Sequence, residues 1–231
     1  MVTSETGIHI AITTPDFESI VGTKSFSTLG RRSLGVSLRS MQLAVLVSGS
    51  GTLLDAILAA DVPVALVVAD RPCRGLEIAS EYGVVSELVE RTEFGAEFNR
   101  DAYASEMAKV LCEHQIDLVA MAGFGTVLGE PIFSAMPGRI INTHPALLPS
   151  FPGWHAVRDA MAAGVKVTGC TIHVATPVVD DGPILAQESV AILDDDDEAS
   201  LHERIKAVER RLYVDTLREI ADSGQLLGTT I

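Results

Sequence analysis

The chain has 231 residues, enough for one domain with a full core or for a domain carrying a tail. Its hydrophobic share of 47% and aromatic share of 5% are ordinary for an α/β protein, and its formal net charge is −14. Such acidity repels phosphate backbones and anionic lipid heads, so it argues against nucleic acid or a membrane surface as the main partner. A small anion held by local backbone N–H groups stays compatible with it.

Residues 1–40 are rich in Ser, Thr and Gly, with Arg31, Arg32 and Arg39 near their end. No long apolar stretch follows the arginine pair, so an export or organelle signal is the weaker reading and a poorly ordered extension the stronger. Met41, directly before the first apolar run, is a candidate natural start. From there strand and helix alternate. Leu43 to Val47 reads as a strand that ends in Ser48-Gly49-Ser50-Gly51, and Thr52 to Ala60 as a helix. Val64 to Val68 is a second strand, entered through Pro63. A turn at Arg71-Pro72, a helix from Gly75 to Tyr82 and a strand from Val84 to Val89 follow. Phe98 to His114 is helical, Asp117 to Met121 a fourth strand and Arg139 to Asn142 a fifth.

After Pro152-Gly153 the texture changes. His155 to Ala163 reads as a helix, and Val165 to Ala175 and Pro183 to Ile192 as two strands, the second antiparallel to the first. Ser200 to Asp222 is a long amphipathic helix, with Leu201, Ile205, Val208, Leu212 and Leu217 near one face. Short apolar strands separated by amphipathic helices imply a mostly parallel sheet with helices on both faces. The domain boundaries are expected at 1–40 for the extension, 41–224 for one undivided domain and 225–231 for a short tail. Three widely spaced cysteines, Cys73, Cys112 and Cys170, argue against a disulfide framework or a zinc site and fit a reducing cytoplasm. No apolar run is long enough to cross a bilayer.

In open α/β sheets ligands bind beyond the carboxyl ends of the strands. Two polar segments fall there. Gly49-Ser50-Gly51-Thr52 suits a phosphate approached by backbone N–H groups, or equally a tight turn with Thr52 as helix cap; it lacks the third glycine of a dinucleotide fingerprint and the lysine of a P-loop. Asn142-Thr143-His144-Pro145, continued by Leu147-Leu148-Pro149, places Asn and His two residues apart, on the same side of an extended chain. An Asn amide can donate to a developing oxyanion, and a His can move a proton near neutral pH. Asp180-Asp181-Gly182-Pro183 reads as a turn between the late strands. His173 reads as a core or rim residue, and Trp154 and His155 as pocket lining or a helix start. The acidic run Asp194 to Asp197 precedes the long helix, where negative charge suits the helix dipole better than a metal.

Several separated segments together resemble the folate-dependent formyltransferases, specifically the phosphoribosylglycinamide formyltransferase family of purine synthesis. They are Val47 to Gly51, Ala122-Gly123-Phe124, Arg139 to Pro145 with Leu147-Leu148-Pro149, Thr168 to Val174, and Asp180 to Ile184. The resemblance covers Met41 to about Gly224 and implies a Rossmann-like, mostly parallel sheet with an antiparallel C-terminal edge. It implies a catalytic trio of Asn142, His144 and Asp180. Substrate contacts would come from Gly51, Thr52, Leu53, Arg100, Pro145 and Glu209, with Gly51, Thr52 and Arg100 on the phosphate and Glu209 on the ribose or glycinamide part. Phe124, Gly125, Thr126, Val127, Leu128 and Asn142 would form the pocket for 10-formyltetrahydrofolate, and no metal is needed. The implied reaction is attack of the glycinamide ribonucleotide amine on the formyl carbon, with an aspartate near His144 favouring the charged ring. Partners would be these small molecules only, the place the cytoplasm, and the state a monomer or homodimer. The chain departs from the family at Leu53, where Asn is frequent, and at Gly125-Thr126, where Met-Arg is frequent.

Rival readings lie nearby. A formyltetrahydrofolate deformylase would carry an N-terminal regulatory domain and a second His where this chain has Pro145. A transfer-RNA formyltransferase would carry a basic C-terminal domain. Another amine-directed formyltransferase, or a non-catalytic nucleotide-binding module on the same sheet, completes the set.

Overall fold

The computed structural model describes residues 40–223. The expected extension, apart from Ser40, and the expected tail lie outside them. In chain order the elements are β1 (Leu43–Val47), α1 (Thr52–Ala59), β2 (Val64–Ala69), α2 (Arg74–Glu81), β3 (Ser86–Leu88), a 3-10 turn (Gly95–Glu97), α3 (Arg100–Glu113) and β4 (Leu118–Met121). Then follow α4 (Glu130–Ala135), β5 (Ile140–His144), α5 (Ala156–Ala162), β6 (Val167–Val174), β7 (Ile184–Ala191) and α6 (Glu198–Ser223).

The strands form one sheet in the order β3-β2-β1-β4-β5-β6-β7. The pairings from β3 through β5 are parallel, and β5–β6 and β6–β7 are antiparallel. This is the Rossmann-like sheet with an antiparallel edge that the sequence leads one to expect. Every residue of β1 is buried, as a central parallel strand covered on both faces requires. Leu43, Val45 and Val47 pack toward α1, α2, α5 and α6, and Ala44 and Leu46 toward α3 and α4. No described helix is long and apolar enough to cross a membrane.

Three elements stand apart from the expectation. The third strand is only Ser86–Leu88, because Val84 N–H closes the end of α2 on the Ala79 carbonyl and Val85 is exposed. The helix expected from Phe98 starts at Arg100, where Asn99 accepts a hydrogen bond from the Ala102 N–H and caps it. The short helix α4 was not anticipated; Gly129, Glu130 and Pro131 are its start signal.

Two tethers fix the edge of the sheet that matters for function. Thr171 on β6 accepts from the Leu148 N–H at 3.1 Å and donates to the Ala146 carbonyl at 2.6 Å, so the proline turn after β5 is bolted to the next strand. Tyr213 on α6 is fully buried, and its hydroxyl lies 3.2 Å from the Met121 carbonyl and 3.0 Å from that of Ile141. It ties the long helix to the ends of β4 and β5. Tyr213→Phe is expected to lower unfolding free energy by about 1–3 kcal/mol, because two buried carbonyls lose their donor. Urea unfolding checks this: the midpoint should fall with the slope unchanged.

Candidate active site

An open cavity of about 590 Å³ lies beyond the carboxyl ends of β1, β4 and β5. Its centre is the end of β5. Asn142 and His144 project from one face of that strand, and the pairing with β6 sets His173 directly opposite Asn142. The Asp180 side chain comes in from the β6–β7 connection. Its Oδ2 lies 3.2 Å from His144 Nδ1 and accepts the Gly153 N–H at 2.7 Å. Its Oδ1 lies 3.6 Å from His173 Nε2. The side chains of His144, Asp180 and His173 are 5%, 6% and 2% exposed, so these contacts form largely out of water.

The hydrogen bonds distinguish the two rings. His173 Nδ1 is 3.0 Å from the Val174 carbonyl, and its Nε2 is 3.3 Å from the Asn142 amide nitrogen. A neutral ring with its proton on Nδ1 satisfies both. Burial pushes the His173 pKa below the ordinary imidazole value, in agreement with that form. His144 Nε2 is 2.8 Å from the Phe151 carbonyl, an acceptor only, while its Nδ1 faces the Asp180 carboxylate. Two acceptors at the two nitrogens suit a doubly protonated ring.

Because side chains alternate along β5, Thr143 points the other way, toward α6. Its hydroxyl donates to Glu209 Oε1 at 3.0 Å and lies 3.3 Å from Cys170 Sγ. Burial raises the Glu209 pKa above the usual carboxyl value, and it pushes that of Cys170 up to about 12. Glu198, His202, Lys206 and Glu209 follow one another at helical spacing on α6 and all line the cavity. The Gly49–Leu53 loop lines it too. Gly51, not Thr52, occupies the cap position of α1, at a φ of 69°, and no side chain caps the helix. A Cβ on Gly51 would lie 2.8 Å from Ile78 Cδ1 and 2.9 Å from the Gly75 Cα, so the loop's close seat on α2 admits only glycine. The first N–H groups of α1 are thereby left without a side-chain partner.

The opposite wall runs from Phe124 to Leu128. The Gly125 N–H donates to Ser48 Oγ at 2.7 Å, joining this wall to the loop after β1. Thr126 is buried, and its hydroxyl donates to Asp70 Oδ2 at 2.6 Å while Arg91 reaches its oxygen at 3.4 Å. Burial pushes the Asp70 carboxyl up, but the Arg71, Thr126 and Ser48 hydrogen bonds together hold it below its ordinary value. Phe133, Ala175, Pro177 and Val179 make the rest of this side apolar.

Of the residues singled out in the sequence, Gly51, Thr52, Leu53, Asn142, His144, Pro145, Asp180 and Glu209 all line this cavity, as do Phe124 to Leu128. Arg100 is not among the lining residues: it is the exposed first residue of α3, and its backbone packs against Gly129, next to the lining residue Leu128. On α6 the cavity is lined by the Lys206 ammonium and by the His202 ring, whose pKa burial pushes below the ordinary imidazole value. Their signal was the spacing 202, 206, 209 on one helix face, which the apolar stripe of the same helix obscured. His173, left open between core and rim, is buried and lines the cavity. Trp154 and His155 also line it, with His155 at the cap of α5. In the acidic run, Asp197 accepts the Ser200 N–H at 2.7 Å, and Asp196 accepts that of Leu193 at 2.7 Å and pairs with Arg204. Those contacts make the run a helix start.

A carboxyl whose folded-state pKa is raised stabilises the fold at low pH, and that contribution is lost as pH rises through the folded value. Glu209→Gln keeps an acceptor for Thr143 and removes the titration. The variant is expected to melt close to wild type at or below the ordinary carboxyl value of 4.5, and to gain on wild type progressively above it. Melting temperatures of both proteins across the pH range test this; a constant difference would contradict it.

Residues 41–217 match the family model described as formyl transferase. The phosphoribosylglycinamide formyltransferase of Mycobacterium tuberculosis (strain ATCC 25618 / H37Rv) is 47% identical over 188 residues, 79% of this chain and 86% of that protein. Its counterpart from Bacillus subtilis (strain 168) is 33% identical over 186 residues, 78% of this chain and 94% of that protein. The crystal structure of glycinamide ribonucleotide transformylase 1 from Symbiobacterium toebii superposes with a TM-score of 0.74 at 39% identity, covering 80% of this chain and 89% of that one. The likeness runs from β1 through most of α6 and holds in sequence and in fold alike, and the chain belongs to the formyl transferase family.

Proposed function

We propose that this chain transfers the formyl group of 10-formyltetrahydrofolate to the primary amine of glycinamide ribonucleotide, a step of purine biosynthesis, in the cytoplasm. The observation that carries the reading is one cavity with two chemically different sides that meet at Asn142, His144 and Asp180. One side has uncapped helix N–H groups, Lys206 and His202, and suits a sugar phosphate. The other is apolar, from Phe124 to Leu128 with Val179, and suits a flat heteroaromatic ring. The names of the relatives, phosphoribosylglycinamide formyltransferase and glycinamide ribonucleotide transformylase, agree with that pairing. Three unpaired cysteines fit a reducing compartment.

In this reading the Gly51 and Thr52 backbone and Lys206 hold the phosphate, and Glu209, steadied by Thr143, holds the ribose or glycinamide part. Pro145 and Leu53 shape that side. The folate supplies the formyl carbon. The new C–N bond forms from the amine nitrogen, the bond to the folate N10 breaks, and one proton passes from the amine to N10. Asn142 and His144 stabilise the oxyanion of the tetrahedral intermediate. Asp180 orients His144 through its Nδ1, and a water beside these two groups relays the proton. The balance closes with no covalent enzyme intermediate and no metal. The buried setting of His144 and Asp180 strengthens these electrostatic effects.

The assay is direct. Protein, 10-formyltetrahydrofolate and glycinamide ribonucleotide are mixed and the folate absorbance followed. Turnover only with the amine present is expected. Turnover without it would identify a deformylase, and none in either case would end the proposal. His144→Ala and Asp180→Asn should each lower kcat by roughly three or more powers of ten. Lys206→Ala should act mainly on KM for the ribonucleotide. Asp195→Ala, at the exposed helix start, should change little; a large loss there would overturn the assignment of the acidic run.

A further inference from the structure

Trp154 is the only tryptophan of the chain and its most exposed large hydrophobic residue among those described, at 79%. It lines the cavity. Its backbone position is fixed from two sides: Gly153, just before it, donates its N–H to the carboxylate of Asp180, and His155, just after it, accepts the Asp159 N–H of α5 on its carbonyl at 2.9 Å. The ring lies over Gly125. A Cβ built on Gly125 would meet Trp154 Cη2 at 3.5 Å, an ordinary van der Waals contact, with Ser48 Oγ at 3.7 Å. Any side chain longer than alanine at 125 would therefore take the space the indole now fills. Gly125 has no positive φ, so it is this neighbouring ring, not backbone strain, that limits the position.

We propose that Trp154 and Gly125 act as a size-matched pair in which the indole closes the gap in the cavity wall and presents an aromatic face to the flat ring of the formyl donor. The inference rests on the formyl-transfer reading and names a specificity-determining residue within it. The ligand assignment follows from the surroundings. Gly125 belongs to the wall of Phe124, Val127 and Leu128, which is apolar, whereas the phosphate-compatible groups sit on α6 and the Gly51 loop. An exposed indole is costly in water and profits from covering by an aromatic ring. A sugar phosphate offers it little.

Trp154 is exposed, so its replacement leaves the core intact. Trp154→Ala should raise KM for 10-formyltetrahydrofolate by about tenfold while changing KM for glycinamide ribonucleotide much less. Gly125→Leu should raise the same constant by displacing the ring. The double variant should be no worse than the poorer single variant, since the leucine then refills the space the indole has left. As the sole tryptophan, Trp154 also reports directly. In the free protein acrylamide should quench its fluorescence readily, and saturating 10-formyltetrahydrofolate without acceptor should lower the quenching slope several-fold. A wild-type enzyme that turns over, but whose Trp154 variant shifts only the ribonucleotide KM, would overturn the inference and leave the function standing. Multiplying effects in the double variant, or an unchanged quenching slope, would overturn it as well. A wild-type protein with no turnover removes the functional reading itself.

Discussion

Everything in the cavity's centre is referred to one carboxylate. Asp180 accepts a hydrogen bond from the Gly153 amide, faces the His144 ring and stands near His173, all at low exposure. A buried carboxylate needs such partners, since isolated it would be strongly destabilising. Its approach is set by the backbone around it. Asp180 has a φ of 58°, and the Val174 N–H donates to the Pro183 carbonyl at 2.8 Å, closing the loop on the end of β6. Gly182 lies so close to Val174 that a Cβ there would overlap its carbonyl oxygen, so the chain can return to β7 only through glycine. The Asp-Asp-Gly-Pro segment is thus a device for aiming one side chain, and its turn chemistry serves that aim.

The second constraint is the change from parallel to antiparallel pairing at β5. A parallel neighbour on one side and an antiparallel one on the other bring the carboxyl end of β5 against the middle of β6. That is why His173 faces Asn142, and why a loop leaving β6 can return Asp180 to His144. Alternation along β5 then divides the cavity. Asn142 and His144 serve one face, and Thr143 reaches Glu209 on the other. Two ligands bound on opposite sides of a sheet edge meet where the strand ends, which is the geometry a transfer reaction demands.

The parallel strands were plain in the sequence because burial on both faces leaves continuous apolar runs such as Leu43 to Val47. The segment Asn142-Thr143-His144-Pro145 was plain for the opposite reason: a strand's burial does not explain Asn and His together at its end. What escaped notice has physical causes too. The helix Glu130–Ala135 is too short to show a period. The strand expected from Val84 shrank to Ser86–Leu88 because Val84 lies in the turn out of α2 and Val85 in exposed chain. Arg100 comes to the site by resemblance alone, since position along the chain says nothing of which end of a helix faces a cavity. Lys206 and His202 went unremarked because a charged residue on an amphipathic helix looks like ordinary surface until the fold shows what the polar face covers.

The overall charge of −14 and the proposed anionic substrate are reconciled locally. The uncapped start of α1 and the Lys206 ammonium supply positive potential at the cavity, at distances where the remote surface carboxylates are screened. Glu209 is a carboxyl that lies beside them. Burial raises its pKa, so the fold disfavours the charged form of an acid that would otherwise oppose a phosphate from within. Thr143 donates to it, which works in the other direction and favours the ionised form. Burial is the larger influence. A carboxyl held toward neutrality can still exchange hydrogen bonds with hydroxyl groups, so the same burial that lowers its repulsion keeps it useful as a sugar contact.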